Sequence, residues 1–87
     1  MYTGHKGWVL CLETFDHLLF SGGDDHKIIV WNIETTRILE VIEGHENGVS
    51  SLCFANNDLY SASYDHFIIV WDLEQLFHRL GENEEMR

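Results

Sequence analysis

The chain has 87 residues, enough for one small domain that buries roughly 60% of its unfolded surface. Fifteen acidic against five basic residues give a formal charge of −10, which excludes nucleic acid and anionic membrane as natural partners, since both demand Lys and Arg. Apolar residues at 45% and aromatics at 13% exclude a disordered chain.

Taken in order, the elements read as short strands. Val9-Leu10-Cys11-Leu12 follows a glycine-containing turn, and His17–Ser21 follows the turn-former Asp16. Lys27–Trp31 is rich in β-branched and aromatic residues, and Arg37–Ile42 alternates before ending at Glu43-Gly44. The same series then returns as Val49–Phe54, as Asp58–Ala62 after Asn56-Asn57, and as Phe67–Trp71. Runs this short, with no proline to interrupt them, suit an antiparallel meander and leave no room for helical crossovers. Two readings of the C-terminal stretch stay open. Repeat logic makes Phe77–Leu80 a fourth strand. Yet Leu73, Leu76, Phe77 and Leu80 fall at helical spacing behind a capping Asp72, with Gln75 at the capping-box position, which favours a short helix. Residues 81–87 form a polar tail.

A shift of 40 residues superimposes the chain on itself. Gly4-His5 meets Gly44-His45, Ser21 meets Ser61, Asp25-His26 meets Asp65-His66, and Ile28–Trp31 meets Ile68–Trp71; 13 of 40 positions are identical. The period divides the chain into a first repeat at 1–43, a second at 44–80, and the tail.

A Gly-His pair, then Ser-Gly-Gly-Asp-Asp or Ser-Ala-Ser-Tyr-Asp, then Ile-Ile-Val-Trp-Asn or Ile-Ile-Val-Trp-Asp, at this period, resembles the WD40 repeat. The resemblance spans roughly residues 1 to 80, with Trp31-Asn32 departing from the Trp-Asp pair that Trp71-Asp72 keeps. It implies an all-β fold of two antiparallel propeller blades. Closed propellers have about four to eight blades, so two blades make a partial propeller. Adjacent blades would pack face to face, with Ile28, Val30 and Leu19 and their counterparts Ile68, Val70 and Leu59 filling the seam.

The resemblance also implies two buried hydrogen-bonded tetrads, His5, Ser21, Asp25, Trp31 and His45, Ser61, Asp65, Trp71. In each, the carboxylate holds one imidazole N–H while the hydroxyl lies between the other ring nitrogen and the indole N–H. His5 should be the looser histidine, because only the stub 1–3 precedes it. The rival reading is a Ser-His-Asp hydrolase site. It is opposed by the set's double occurrence, by the absence of a Gly-x-Ser-x-Gly elbow, and by the indole that would occupy the hydroxyl. Six histidines raise a metal site, yet His26 and His66 sit beside the tetrad carboxylates, where neighbouring side chains diverge, so no metal and no cofactor is expected. Cys11 and Cys53 lack CxxC spacing and read as small buried residues on equivalent faces of the two blades.

In this family partners dock where the loop before the inner strand meets the turn before the tetrad Asp. The matching positions are Trp8, Leu10 and Asp24, and Gly48, Ser50 and Tyr64. Trp8 has no aromatic counterpart at Gly48, so the repeat itself does not demand it; its plain structural role would be to cover the strand end. The expected function is a non-catalytic protein–protein interaction module belonging to a larger propeller. The alternatives are a two-blade protein that self-associates through its unpaired faces into a closed ring and, more remotely, a hydrolase or metal site. No apolar run approaches the ~20 residues of a membrane span and Met1–His5 opens no signal peptide, so the expected location is intracellular and cytoplasmic.

Overall fold

A computed structural model describes the backbone of residues 1–85 and the side chains of residues 1–80. The first repeat forms a four-stranded antiparallel meander of β1 (Val9–Phe15), β2 (Leu18–Gly23), β3 (Lys27–Asn32) and β4 (Ile38–Glu43). The second forms a three-stranded meander of β5 (Val49–Ala55), β6 (Asp58–Ser63) and β7 (Ile68–Asp72), followed by helix α1 (Leu73–Glu85).

Local chemistry sets the turns. Phe15 pairs with Leu18 across Asp16-His17, and Ala55 pairs with Asp58 across Asn56-Asn57. Asp16 (φ 56°), Asn56 (φ 52°) and Asn57 (φ 63°) adopt the left-handed conformation that tight hairpins need and that Asn and Asp tolerate best. After β3, Asn32 Oδ1 accepts from the Glu34 and Thr35 amides at 2.8 and 3.1 Å, and Thr36 turns the chain back at φ 60°. After β7, Asp72 Oδ1 accepts from the Glu74 and Gln75 amides at 2.9 and 3.3 Å, but here the bonds cap a helix. The helical alternative at 73–80 is therefore the one adopted. Leu73, Leu76 and Leu80 share a buried face, and burying that stripe outweighs a solvated fourth strand. The helix continues through residues 81–85, inside the stretch read as a tail; residues 86–87 lie outside the described residues.

The two sheets meet as expected, but the seam has a different composition. Leu18, Phe20, Ile28, Val30 and Ile42 of the first sheet face Val49, Leu52 and Leu59 of the second, with α1 closing the outer rim. Phe54 packs on Phe15 and Phe20 at ring distances of 5.2 and 5.0 Å, and Phe77 joins Phe15 at 5.5 Å. Ile68 and Val70, expected in this seam, are exposed, and Leu19 is only half-buried on the far face. Consecutive repeats share one orientation, so one face of the first sheet meets the opposite face of the second. Equivalent residues therefore cannot share a seam. Ile28 is 1% exposed and Ile68 69%; Leu52 is 7% exposed and Leu12 61%.

The same geometry corrects the cysteines. Cys11 lies at the seam, its Sγ 3.4 Å from the Val49 carbonyl oxygen, whereas Cys53 is exposed because its face of the second sheet is bare.

Candidate functional site

Each repeat carries a four-residue network linking the loop before its first strand to the turn after its second. In the second repeat, His45 Nδ1 lies 2.9 Å from Asp65 Oδ2 and its Nε2 lies 2.7 Å from Ser61 Oγ, while Trp71 Nε1–H donates to the same Oγ at 2.8 Å. In the first, His5 Nδ1 lies 3.0 Å from both Asp25 oxygens, its Nε2 lies 2.6 Å from Ser21 Oγ, and Trp31 Nε1–H donates to Ser21 at 2.7 Å. Since the indole can only donate, the hydroxyl proton points to an unprotonated Nε2, and Nδ1–H donates to the carboxylate. Each carboxylate also accepts backbone amides: Lys6 and Lys27 for Asp25, Glu46 and Phe67 for Asp65. No buried side-chain nitrogen or oxygen among the described residues is left without a partner.

His5 holds as closely as His45, contrary to the looser fit expected of it. Tyr2 supplies the reason. Its ring meets Trp31 edge-on at 5.4 Å and its hydroxyl donates to the Ile33 carbonyl at 3.2 Å. Under the 40-residue shift Tyr2 corresponds to Ile42, which is buried beside Trp71, so that alignment was the signal that could have picked it out.

Both carboxyls are held below their ordinary range. Desolvation pushes both up, but for Asp65 the Glu46 and Phe67 amides and His45 outweigh it and hold the carboxyl far below the usual range. Asp25 is lowered by the Lys6 amide, His5 and the Lys27 amide against the same desolvation. The networks are poorly disposed for nucleophilic chemistry. Ser61 is fully buried, and its oxygen already accepts the indole proton. Desolvation raises the Cys11 thiol, with a weaker opposing effect from its contact with the Gly22 backbone, which disfavours the reactive thiolate. His26 and His66 are exposed turn residues at φ 75° and 76°, and among the described residues no three His, Cys, Asp or Glu side chains converge as metal ligands. A groove of about 720 Å3 between α1 and the sheets, lined in part by Ile42, Trp71, Leu76 and Arg79, brings no such set together.

The loop face carries the other candidate residues. The Trp8 carbonyl accepts the Asp24 amide at 2.7 Å, and the Gly48 carbonyl accepts the Tyr64 amide at 3.1 Å, so both repeats tie the pre-strand loop to the turn in the same way. Trp8 is 80% and Tyr64 60% exposed, and Asp24 is exposed between the seam and solvent. Leu10 is half-buried against Gly48. A Cβ at Gly48 would stand 3.1 Å from Leu10 Cδ1 and 3.4 Å from Asp24 Cα, so glycine permits the close approach of the two repeats here. Ser50 is half-buried with its hydroxyl donating to the Ala62 carbonyl at 3.3 Å. The structure thus leaves Trp8, Asp24 and Tyr64 open and draws Leu10, Gly48 and Ser50 inward.

The family model described as WD domain, G-beta repeat, matches residues 1–32 and 36–72. The chain belongs to the WD40 family. Its repeats are 36% identical over 56 residues to the human kinesin-like protein KIF21B, covering 64% of this chain and 3% of that protein. They are 40% identical over 55 residues to the mouse WD repeat and FYVE domain-containing protein 1, covering 59% and 13%. The chain thus corresponds to a small part of each relative's length. Among solved structures it resembles the computationally designed Ika4 protein, with TM-score 0.76 and 30% identity over 84% of this chain and 46% of that one. The designed Ika8 protein matches with TM-score 0.73 and 31% identity over 82% and 22%. The two WD40 repeats build two blades, as the family implies. No helix among the described residues is long and apolar enough to cross a membrane.

Proposed function

We propose that this chain is a non-catalytic WD40 protein–protein interaction module that engages a protein partner on its loop face, with Trp8 as the anchor and Tyr64 and Asp24 beside it, as part of a larger propeller in the cytoplasm. The observation that carries this reading is Trp8 itself, 80% exposed in a place where the second repeat has only Gly48. A solvent-facing indole is costly to keep wet and has the large, rigid apolar area from which binding hot spots are made. The tetrads act as struts: each fixes the loop that ends at Trp8 or Gly48 to the turn that presents Asp24 or Tyr64.

The remaining chemistry agrees. A charge of −10 disfavours nucleic acid and anionic membrane as partners, and the free thiols of Cys11 and Cys53 suit a reducing compartment. The relatives, in which such repeats occupy a small part of a long chain, support a module that works beside other domains.

Trp8→Ala tests it. Proteins captured by the immobilised wild-type chain should bind the variant about 30-fold more weakly, corresponding to the ~2 kcal/mol of a hot-spot residue, with an unchanged melt. Equal capture by both, or a loss that appears only with unfolding, overturns the proposal.

A further inference from the structure

The seam inside this molecule shows what would cover its two bare faces. In the seam, Ile28 and Val30 of the first repeat pack against the Val49, Leu52 and Leu59 face of the second. The free side of the second sheet presents Ile68 and Val70, the counterparts of Ile28 and Val30, at 69% and 53% exposure. The free side of the first sheet presents Val9, Leu12 and Leu19, the counterparts of Val49, Leu52 and Leu59, with Leu12 at 61%. One molecule therefore carries both halves of the contact it already makes internally.

A second observation points the same way. Among the described residues no strand pairs with the outer edge of β7, because α1 turns away where β4 follows β3 in the first repeat. In the first repeat that edge is filled by β4, with Ile28 opposite Ile42 and Ile29 opposite Val41. Under the 40-residue shift, Val41-Ile42-Glu43 corresponds to Met1-Tyr2-Thr3. This segment is already seated at its own repeat: Tyr2 packs on Trp31, and a Cβ at Gly4 would approach the Trp31 ring as one at Gly44 would approach Trp71. The donor strand and the acceptor edge lie at opposite ends of the same chain.

We propose that the partner of these faces is a second copy of this chain, docked head to tail. Its Met1–Thr3 adds to the β7 edge with Tyr2 opposite Ile68 and Met1 opposite Ile69, and its Val9, Leu12 and Leu19 cover Ile68 and Val70. The contact is heterologous, so it propagates, and a closed ring of roughly four to eight blades takes two to four copies. The face between copies is leaner than the internal seam. Ala55 and Asp58 stand where Phe15 and Leu18 pack, and Ala62 adds a methyl group where Gly22 lets Val49 approach. Assembly is accordingly reversible and grows with concentration. It uses the sheet faces and leaves the Trp8 loop face free, so this proposal and the partner-binding one stand or fall separately.

The test uses light scattering after size exclusion on the full chain and on two variants at positions exposed in the single chain, Ile68→Asp and Leu12→Asp. Wild type should rise with concentration to the mass of two or more chains, and each variant should remain at one. Each variant keeps one intact face of opposite kind, so an equimolar mixture should double in mass and grow no further. A wild type that stays at one chain, variants that assemble like wild type, or a mixture that stays at one chain would each overturn the proposal. Should a variant fail to fold by circular dichroism, hydrogen exchange on the wild type decides: the outward β7 amides must be protected more at high than at low concentration, and no change overturns the contact.

Discussion

Asn32 and Asp72 hold the same position in consecutive repeats and make the same bonds, each accepting the amides two and three residues on, yet Asn32 closes a hairpin and Asp72 starts a helix. The next few residues decide the outcome: Thr35-Thr36 lets the chain reverse, whereas Gln75-Leu76 continues an apolar stripe that α1 buries. Asp72→Ala should remove the cap and cost about 0.5–2 kcal/mol. Helical circular dichroism should fall together with the urea midpoint; an unchanged midpoint would show that the cap contributes nothing.

Ser61, itself fully buried, joins buried His45 to half-buried Trp71. Ser61→Ala strands the imidazole Nε2 and the indole N–H together, and each orphaned buried group costs about 1–3 kcal/mol. Chemical denaturation should show a loss at the upper end of single-residue effects. A loss below about 0.5 kcal/mol, the level of an ordinary surface substitution, would mean that the network is incidental to stability.

Acid should act through the same networks. The Asp65 and Asp25 carboxyls are lower in the folded chain than in the unfolded one, where Asp titrates near ~3.9. Stability from a lowered carboxyl is complete above the unfolded value and drains away as pH falls towards the folded one. Thermal midpoints should therefore hold near neutrality and drop below about pH 4. Asp65→Asn should start lower at neutral pH and drop less steeply in acid; parallel curves for the two proteins would rule out Asp65 as a source of the acid sensitivity.

Ile28 and Ile68 test the handedness of the seam. Ile28→Ala empties a packed site and should cost about 2–5 kcal/mol, whereas Ile68→Ala in the dilute single chain should stay within about 0.5 kcal/mol. Equal losses from urea unfolding would mean that the two faces are equivalent after all.

The strands and the repeat were legible in the order of amino acids alone, while the residues of the two networks came from the family resemblance that this order carries. Strands and repeat arise from local chemistry, such as β-branched runs, Asn-Asn and Asp turns, and from the 40-residue spacing at which this chain repeats itself. Strand or helix at residues 73–80 stayed open, because a cap and an apolar stripe are compatible with the repeat until a surface exists for the stripe to cover. Packing against the two sheets resolved it. Packing also selected which isoleucine is core and which is surface, and sheltered Cys11 while leaving Cys53 bare. Burial is a property of neighbours. Two faces related by a 40-residue step meet different surroundings when the sheets stack in one direction, so Ile28 and Ile68, the same residue at the same place in its repeat, end in core and in solvent.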